Sequence, residues 1–272
     1  MTFKFYFIQI LFVLLIAISC EKSNAPFTDT PIIESYLSPG KHPMVKISRQ
    51  IPFSEDAVNS SDDINSLIIN FASEDFNSFL TYTGEGLYID SSVIVTDEKA
   101  YSLSFVYNGK NVSANTAIPT KPLNFSQSAL SISVMRMGGN TFPQMGSFQM
   151  PEPLQLTWDN DDGSYYIVVI ENMESTPDPV RDFGDTLRVG NMFRKSPTTS
   201  QGIELRPQEF TYFGKHRIIL YHVLPDYASL YDESISSSQN LTNPSTSITN
   251  GYGIFTGLNS DTLYVKVIEA AR

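Results

Sequence analysis

The sequence AYSLSFVY-NG-KNVSANT occupies residues 100–116 and alternates apolar with polar side chains on both sides of an Asn-Gly pair. Alternation with a period of two is typical of strands that are buried on one face only. Asn108-Gly109 favours a tight turn because both residues tolerate positive φ. The stretch therefore predicts a two-stranded hairpin, with strands at residues 100–107 and 110–116.

Further segments of the same kind precede this hairpin. Residues 31–37, 44–48 and 66–71 are short apolar runs separated by proline, glycine and serine turns. Six or seven short strands within about 90 residues are typical of a β-sandwich of immunoglobulin-like or transthyretin-like type. Prolines at positions 119 and 122 interrupt the pattern, so we place a first β-sandwich domain at residues 32–120.

The remaining residues, 121–272, predict a second β-rich domain. Residues 154–158 and 165–171 are apolar runs on either side of an acidic turn, which favours another hairpin. Residues 172–208 are rich in proline, aspartate and arginine and have weak periodicity, so they predict a long loop.

One short helix is expected in this second domain, at residues 225–234. Asp226 is placed to cap it, and Tyr227, Leu230 and Tyr231 fall on one face at helical spacing. The predicted fold class is therefore mostly β, with two β-sandwich domains and one short helix in the second.

The N-terminus carries a targeting signal. Residues 1–20, MTFKFYFIQILFVLLIAISC, resemble a bacterial lipoprotein signal peptide, with the cation Lys4, an apolar run and the lipobox Ala17-Ile18-Ser19-Cys20. The apolar run is about a dozen residues long, shorter than the roughly 20 that a spanning helix needs. Cys20 is the only cysteine, so it has no internal disulfide partner. We expect cleavage before Cys20 and lipidation of its thiol.

The residues after the cysteine predict how the chain meets the membrane. Residues 21–31 are polar and contain two prolines, which is typical of a short tether. Each buried acyl methylene contributes about 0.8 kcal/mol, so a lipidated Cys20 would anchor the chain to the membrane. Glu21 resembles a surface-export signal of Bacteroidota lipoproteins. It favours the cell-surface side and leaves a periplasmic orientation open.

Charge limits the partners. The chain has 18 Lys and Arg against 29 Asp and Glu, for a formal net charge of −11. Proteins that bind nucleic acid neutralise phosphates with clustered cations. The composition therefore argues against nucleic acid as a partner, and we expect none.

The sequence offers little for catalysis. Its histidines are His42, His216 and His222, and the last two lie about 20 Å apart on one predicted strand, too far to bind one metal. The chain has no Gly-x-Ser-x-Gly elbow, no His-Glu-x-x-His motif and no glycine-rich phosphate loop. We therefore expect a protein that is not an enzyme and has no cofactor. A hydrolase with a carboxylate pair stays open, because sequence does not fix the separation of two acidic side chains.

The acidic turn at residues 159–163 is the one segment that suggests a metal. Asp159, Asp161 and Asp162 could offer oxygens to Ca²⁺. The glycine comes one residue too early for an EF-hand loop, and the glutamate at its twelfth position is missing. A solvated turn without metal is the expectation, and Trp158 beside it is expected in the core.

Several segments together resemble a known family. They are the lipobox and residues 31–37 (PIIESYL), 45–49 (VKISR), 86–88, 101–103, 108–119 and 250–257 (NGYGIFTG). On these residues the chain resembles the domain-of-unknown-function 4249 lipoproteins of Bacteroidota. The resemblance implies an outer-membrane location and a TonB-dependent receptor as partner, since genes for such proteins often lie beside receptor genes. It implies no catalytic residue.

The glycine-rich segment adds four candidate binding residues, Gly251, Tyr252, Gly253 and Phe255. Its glycines, with Gly257, are equally expected where a strand needs an unusual backbone angle or a close approach.

Three functions follow as hypotheses. The first is a non-catalytic outer-membrane lipoprotein that serves as an accessory or binding component of a TonB-dependent nutrient-uptake system. The alternative is a structural or adhesive spacer at the cell surface. The third is the carboxylate hydrolase.

Overall fold

The structure is a computed structural model that describes residues 29–50, 62–136, 152–181, 190–231 and 246–270. Cys20, the lipobox and most of the predicted tether lie outside these ranges. Within them, neither helix is long and apolar enough to cross a membrane.

Strands make up most of the described chain. They are β1 Pro31–Leu37, β2 Met44–Arg49, β3 Ile69–Ala72, β4 Asn77–Gly84, β5 Leu87–Ile89, β6 Ala100–Tyr107, β7 Lys110–Ala117, β8 Ser126–Gln127, β9 Ser131–Val134, β10 Leu154–Thr157, β11 Tyr165–Asn172, β12 Asp178–Pro179, β13 Met192–Arg194, β14 Gly202–Leu205, β15 Tyr212–Val223 and β16 Tyr252–Glu269. Two short helices, α1 Asp62–Asn65 and α2 Pro225–Ser229, and a 3₁₀ turn at Pro207–Glu209 complete the described elements. The prediction of a mostly β chain is confirmed.

The hairpin predicted at residues 100–116 is present. Strands β6 and β7 pair antiparallel along their whole length, from Ala100 opposite Ala117 to Tyr107 opposite Lys110. Asn108 and Gly109 form the turn with φ of 49° and 73°, as the Asn-Gly pair requires.

Strand β16 joins two parts of one large mixed sheet. The strand order is β13-β11-β15-β16-β1-β2-β5-β4-β3-β6-β7, with β12 beside β15 and β9 beside β16. Residues 252–257 of β16 run parallel to β1, and residues 258–267 run antiparallel to β15. The last strand in this order, β7, closes back on the segment just before β16. Ser113 of β7 and Thr249 exchange backbone hydrogen bonds of 3.2 and 2.8 Å. Strands β16 to β7 thus curl around a first core.

The second core lies between the large sheet and a small sheet of order β14-β10-β8. Leu156 of the small sheet packs there with Val168 and Ile218 of the large sheet. Trp158 is only 3% exposed in this core, which confirms its predicted position. The opposite face of β11 and β15 carries a third, smaller cluster that α2 covers through Ala228.

The two larger cores follow the predicted division of the chain incompletely. Buried side chains of the first core come mostly from residues 33–118, but Ile248 and Phe255 also belong to it. The second core draws on residues 125–267. The last strand therefore serves both cores, and the boundary at residue 120 stays a prediction.

Two predictions about residues 121–208 are wrong in detail. Strands β10 and β11 do not form a hairpin, because β10 pairs with β14 and β8 whereas β11 pairs with β13 and β15. The acidic turn between them crosses from one sheet to the other. The segment 172–208, expected to be a loop, contains β12, β13 and β14, which are too short to give a periodic signal.

The predicted helix at residues 225–234 is shorter in its described part. Helix α2 begins at Pro225 with Leu224 as its N-cap residue, so Asp226 does not cap it. Asp226 instead accepts a hydrogen bond of 2.9 Å from the Thr256 hydroxyl. Leu230 is 53% exposed, so it does not share the buried face with Tyr227. Residues 232–234 lie outside the described ranges.

Candidate interaction surface

The carboxylates of the acidic turn bind separate protein groups. Asp159 accepts from the Asn124 amide at 2.6 Å, and Asp161 accepts from the Gln201 amide at 2.9 Å. Hydrogen bonds from Ser164 lower the pKa of Asp162. Among the described residues, no group of three or more His, Cys, Asp or Glu side chains could hold a metal ion. The turn is held by contacts within the protein.

Asn160 occupies the centre of this turn. Its side chain is 7% exposed, and its amide nitrogen donates to the carbonyls of Ser164 and Thr199 at 2.9 and 2.8 Å. The amide therefore links the turn to the segment before β14.

The glycine-rich candidates lie in the packed seam between β1 and β16. Gly253 has a φ of 97°, and a Cβ at this position would lie 2.0 Å from the Ile33 carbonyl oxygen. A Cβ on Gly251 would lie 2.7 Å from the Ile248 side chain. Phe255 is fully buried in the first core, and Tyr252 pairs with Ile32. The seam itself accounts for the two glycines and for Phe255.

The three histidines are held by groups other than carboxylates. Nδ1 of His42 lies 2.7 Å from the Val93 carbonyl oxygen. His222 stacks on Tyr166, with ring centres 4.7 Å apart, and its Nδ1 is 2.8 Å from the Thr120 carbonyl oxygen. Buried His216 lies beside Asn172 and the Gly214 carbonyl. The described surroundings of these rings therefore do not resemble a catalytic triad.

A different group of side chains forms the most distinctive surface feature. It consists of Tyr36, Arg194, Tyr227 and Tyr231, which we call the tyrosine–arginine cluster. Ring centres of Tyr36 and Tyr227 are 5.6 Å apart at 81°, and those of Tyr227 and Tyr231 are 5.7 Å apart at 70°. Both arrangements are the edge-to-face geometry that aromatic pairs prefer.

Arg194 is held against these rings. Its Nη1 donates to the hydroxyl of Tyr227 at 3.3 Å and to the hydroxyl of Tyr231. Its Cζ lies 5.7 Å from the centre of the Tyr231 ring, within cation–π range. The guanidinium is thus oriented by the phenol groups.

Three parts of the fold bring the cluster together. Tyr36 lies near the end of β1, Arg194 ends β13, and the two other tyrosines lie on or just after α2. A separation of four residues places Tyr227 and Tyr231 on one helical face. Pro225 at the start of α2 and the bond from Thr256 to Asp226 fix where this short helix sits.

The cluster combines neutral phenols with one fixed cation. Burial raises the pKa of Tyr227, and the bond with Tyr231 raises it further. Burial raises the pKa of Tyr36 as well, with help from Glu34. Burial lowers the pKa of Arg194, but the interactions with Tyr227 and Tyr231 outweigh burial, so the pKa is raised overall. Around neutral pH Tyr36 and Tyr227 therefore stay protonated beside a permanent positive charge.

The composition and exposure of this surface match those of protein interfaces. Tyrosine and arginine are enriched in interfaces and in their energetic hot spots. Tyr36 is 42% exposed, and Met192, on the same face of β13 as Arg194, is 57% exposed. Sequence reasoning placed Tyr227 and Tyr231 on one face but gave no signal that would bring Tyr36 or Arg194 beside them.

No protein-family model matches the chain, and no curated protein matches it either. A solved structure to which it is similar is "Chimeric titin Z1Z2 functionalized with a KLER exogenous peptide from decorin". The alignment covers 91% of this chain and 100% of that one, at 10% identity and a TM-score of 0.21. A likeness this distant carries no inference about fold or function.

Proposed function

We propose that the chain is a non-catalytic outer-membrane lipoprotein, anchored through Cys20, that serves as a binding or accessory component of a TonB-dependent nutrient-uptake system. The observation that carries the binding role is the exposed tyrosine–arginine cluster. It presents aromatic rings and a pre-oriented cation where two strands and a helix meet.

Other features support parts of this proposal. The lipobox supports the anchor, Glu21 favours the cell-surface side, and the resemblance to a Bacteroidota lipoprotein family supports the receptor as partner. A two-layer packing of strands over the second core supports a β-sandwich of immunoglobulin-like or transthyretin-like type. The backbone and amide partners of His216 and the carbonyl partner of His222 support a role without catalysis.

The test is a pull-down from the native membrane in mild detergent, with an affinity tag after Arg272 and quantitative mass spectrometry. We expect a TonB-dependent receptor among the enriched proteins. Tyr36→Ala should reduce its recovery, because the variant removes one exposed ring of the cluster. Phe79→Ala, which removes another exposed ring, on β4, is the matched control and should leave recovery unchanged.

Recovery of the chain without any receptor would overturn the uptake role and favour the spacer hypothesis. The anchor has its own test, metabolic labelling with an alkyne fatty acid. Label should enter the natural chain and be absent from Cys20→Ala. Equal labelling of the two chains would refute lipidation at this cysteine.

A further inference from the structure

The outer edge of β13 carries backbone groups that point away from the sheet. Asn172 N–H donates to the Asn191 carbonyl at 2.8 Å, and Lys195 N–H donates to the Val168 carbonyl at 2.9 Å. The register places Phe193 opposite Ile170, midway between these bonds. In an antiparallel pair alternate residues bond to the same neighbour. Residues 191, 193 and 195 therefore face β11, and the N–H and C=O groups of Met192 and Arg194 face outward.

This edge is open as far as the structure describes the chain. Strand β13 ends the order of the large sheet, and no described strand pairs with its outer side. All three of its residues are exposed. Outward backbone groups on an exposed edge are a template onto which an extended peptide can pair.

The guanidinium of Arg194 has an unused side. In the same protein, Arg217 directs Nε and Nη2 at Glu171, and Arg136 directs both Nη atoms at Asp178. Arg194 binds only phenol oxygens, through Nη1. Its Nε and Nη2 have no hydrogen-bond partner among the described residues. These two groups form one of the forked edges with which arginine binds a carboxylate.

The nearest carboxylate on the adjacent strand is already engaged. Glu171 lies opposite Met192, and Arg217 binds it through two nitrogens. The net charge of the chain is −11, so the protein as a whole repels an acidic ligand. The open forked edge of the Arg194 guanidinium is nevertheless locally complementary to a carboxylate.

We propose that β13 accepts an extended acidic segment of a partner protein as an added strand, with a ligand carboxylate on Nε and Nη2 of Arg194. The outward N–H and C=O groups of Met192 and Arg194 supply the backbone pairing. The side chains of Met192, which shares a face of β13 with Arg194, and of Tyr231 supply apolar contacts around the carboxylate. The inference rests on the proposed function in that it specifies which chemistry the binding surface recognises.

The test uses purified full-length chain in detergent and a phage-displayed library of random linear peptides, followed by affinity measurement with the enriched peptides as synthetic probes. We expect enrichment of peptides rich in β-formers with a central Asp or Glu. Replacing that acidic residue by its amide should weaken binding about tenfold or more, the effect of losing a charge-assisted hydrogen bond.

Two variants separate the two parts of the proposal. Arg194→Gln should weaken acidic peptides about tenfold and leave the amide versions unaffected. Met192→Pro removes an outward N–H while the inward bonds of residues 191, 193 and 195 remain. It should therefore abolish strand addition, and its circular dichroism spectrum should match that of the natural chain. Arg206→Gln, another exposed arginine, is the matched control and should bind as the natural chain does.

Enriched peptides without acidic residues, or equal affinity of acidic peptides for the natural chain and both variants, would overturn the inference. A receptor pull-down that succeeds equally with Arg194→Gln and Met192→Pro would overturn it too, and the proposed function would survive. If the pull-down recovers no receptor but peptide binding depends on Arg194, the result has the opposite meaning. The uptake role is then overturned, and the peptide site on β13 is retained.

Discussion

Asn172 and His216 face each other across β11 and β15, with the amide nitrogen 3.3 Å from Nε2 of the imidazole. The Asn172 amide nitrogen also donates to the Phe213 carbonyl, and its oxygen accepts from Glu174 N–H. These bonds fix the amide orientation, so Nε2 of His216 is the acceptor. The ring proton then lies on Nδ1, 3.2 Å from the Gly214 carbonyl oxygen. Both side chains are buried, and only a neutral imidazole can accept this bond.

Mild acid should therefore destabilise the fold through His216. Burial lowers its pKa from 6.5, so the unfolded chain takes up this proton at a higher pH than the folded chain does. The contribution to the free energy of unfolding is complete above pH 6.5 and is lost as the pH falls towards the folded-state pKa. We expect the urea midpoint to fall more between neutral and mildly acidic pH in the natural chain than in His216→Gln.

Exposed His42 provides the control for this titration. His42→Gln should keep the pH dependence of the natural chain. The same fall of the midpoint in His216→Gln as in the natural chain would show that another group senses the acid.

Gly253→Ala should destabilise the protein by about 3 kcal/mol or more, because strain at positive φ and a backbone clash act together. The added methyl would meet the Ile33 carbonyl at 2.0 Å. Gly163→Ala tests the backbone strain without a clash, since Gly163 has a φ of 72° and no atom lies within 4 Å of the added Cβ. This variant should lower the free energy of unfolding by about 1 kcal/mol. Urea unfolding measures both. Equal losses in the two variants would contradict the close approach of β1 and β16.

Phe255→Ala should destabilise the first core, although Phe255 belongs to the last strand. The ring is fully buried, with its centre 6.5 Å from that of Phe71, so we expect a loss of about 3–5 kcal/mol. Hydrogen exchange should accelerate in β3 and β6 as well as in β16. The exposed ring of Phe79 gives the control, and Phe79→Ala should change stability by no more than about 0.5 kcal/mol. Protection of β3 and β6 that is unchanged in Phe255→Ala would mean that the first domain folds without the last strand.

Arg136→Lys should loosen the edge where β12 and the end of β16 meet. Arg136 donates to both carboxylate oxygens of Asp178 at 2.9 and 2.8 Å and to Glu269 at 3.1 Å. Lysine keeps the charge but lacks the fork. We expect faster amide exchange near Asp178 and Glu269 with little change in global unfolding, since exposed ion pairs contribute little. Arg206→Lys is the control, and matching exchange profiles for the two variants would contradict a fastening role.

Local patterns explain which parts of this fold could be predicted. The hairpin at residues 100–116 is encoded by strict alternation and an Asn-Gly turn, and both strands neighbour each other in sequence. The partners of β10 lie far along the chain, so alternation predicted the strand but paired it wrongly with β11. Strand β13 has three residues, and no period can be read from so few.

The candidate surface was harder to predict for a related reason. Only the separation of Tyr227 and Tyr231 is local. Tyr36 and Arg194 reach them because β16 lies between β1 and β15 and pairs with both, while β11 pairs with β13 at the edge. That arrangement depends on long-range strand pairing, for which a single sequence gives no spacing rule.

The way in which β1 is bound determines how the protein resists a pull on its N-terminal side. Any tension on the chain ahead of Pro31 acts along β1, which is paired with β16 on one side and β2 on the other. Hydrogen bonds between strands run across the strand direction, so such tension shears both ladders instead of opening them one bond at a time. The Tyr107 hydroxyl donates to Asp29 at 2.8 Å just ahead of the strand, so this hydrogen bond also bears part of the tension. The fold therefore resists tension by shear of two ladders at the point where a membrane tether would join it.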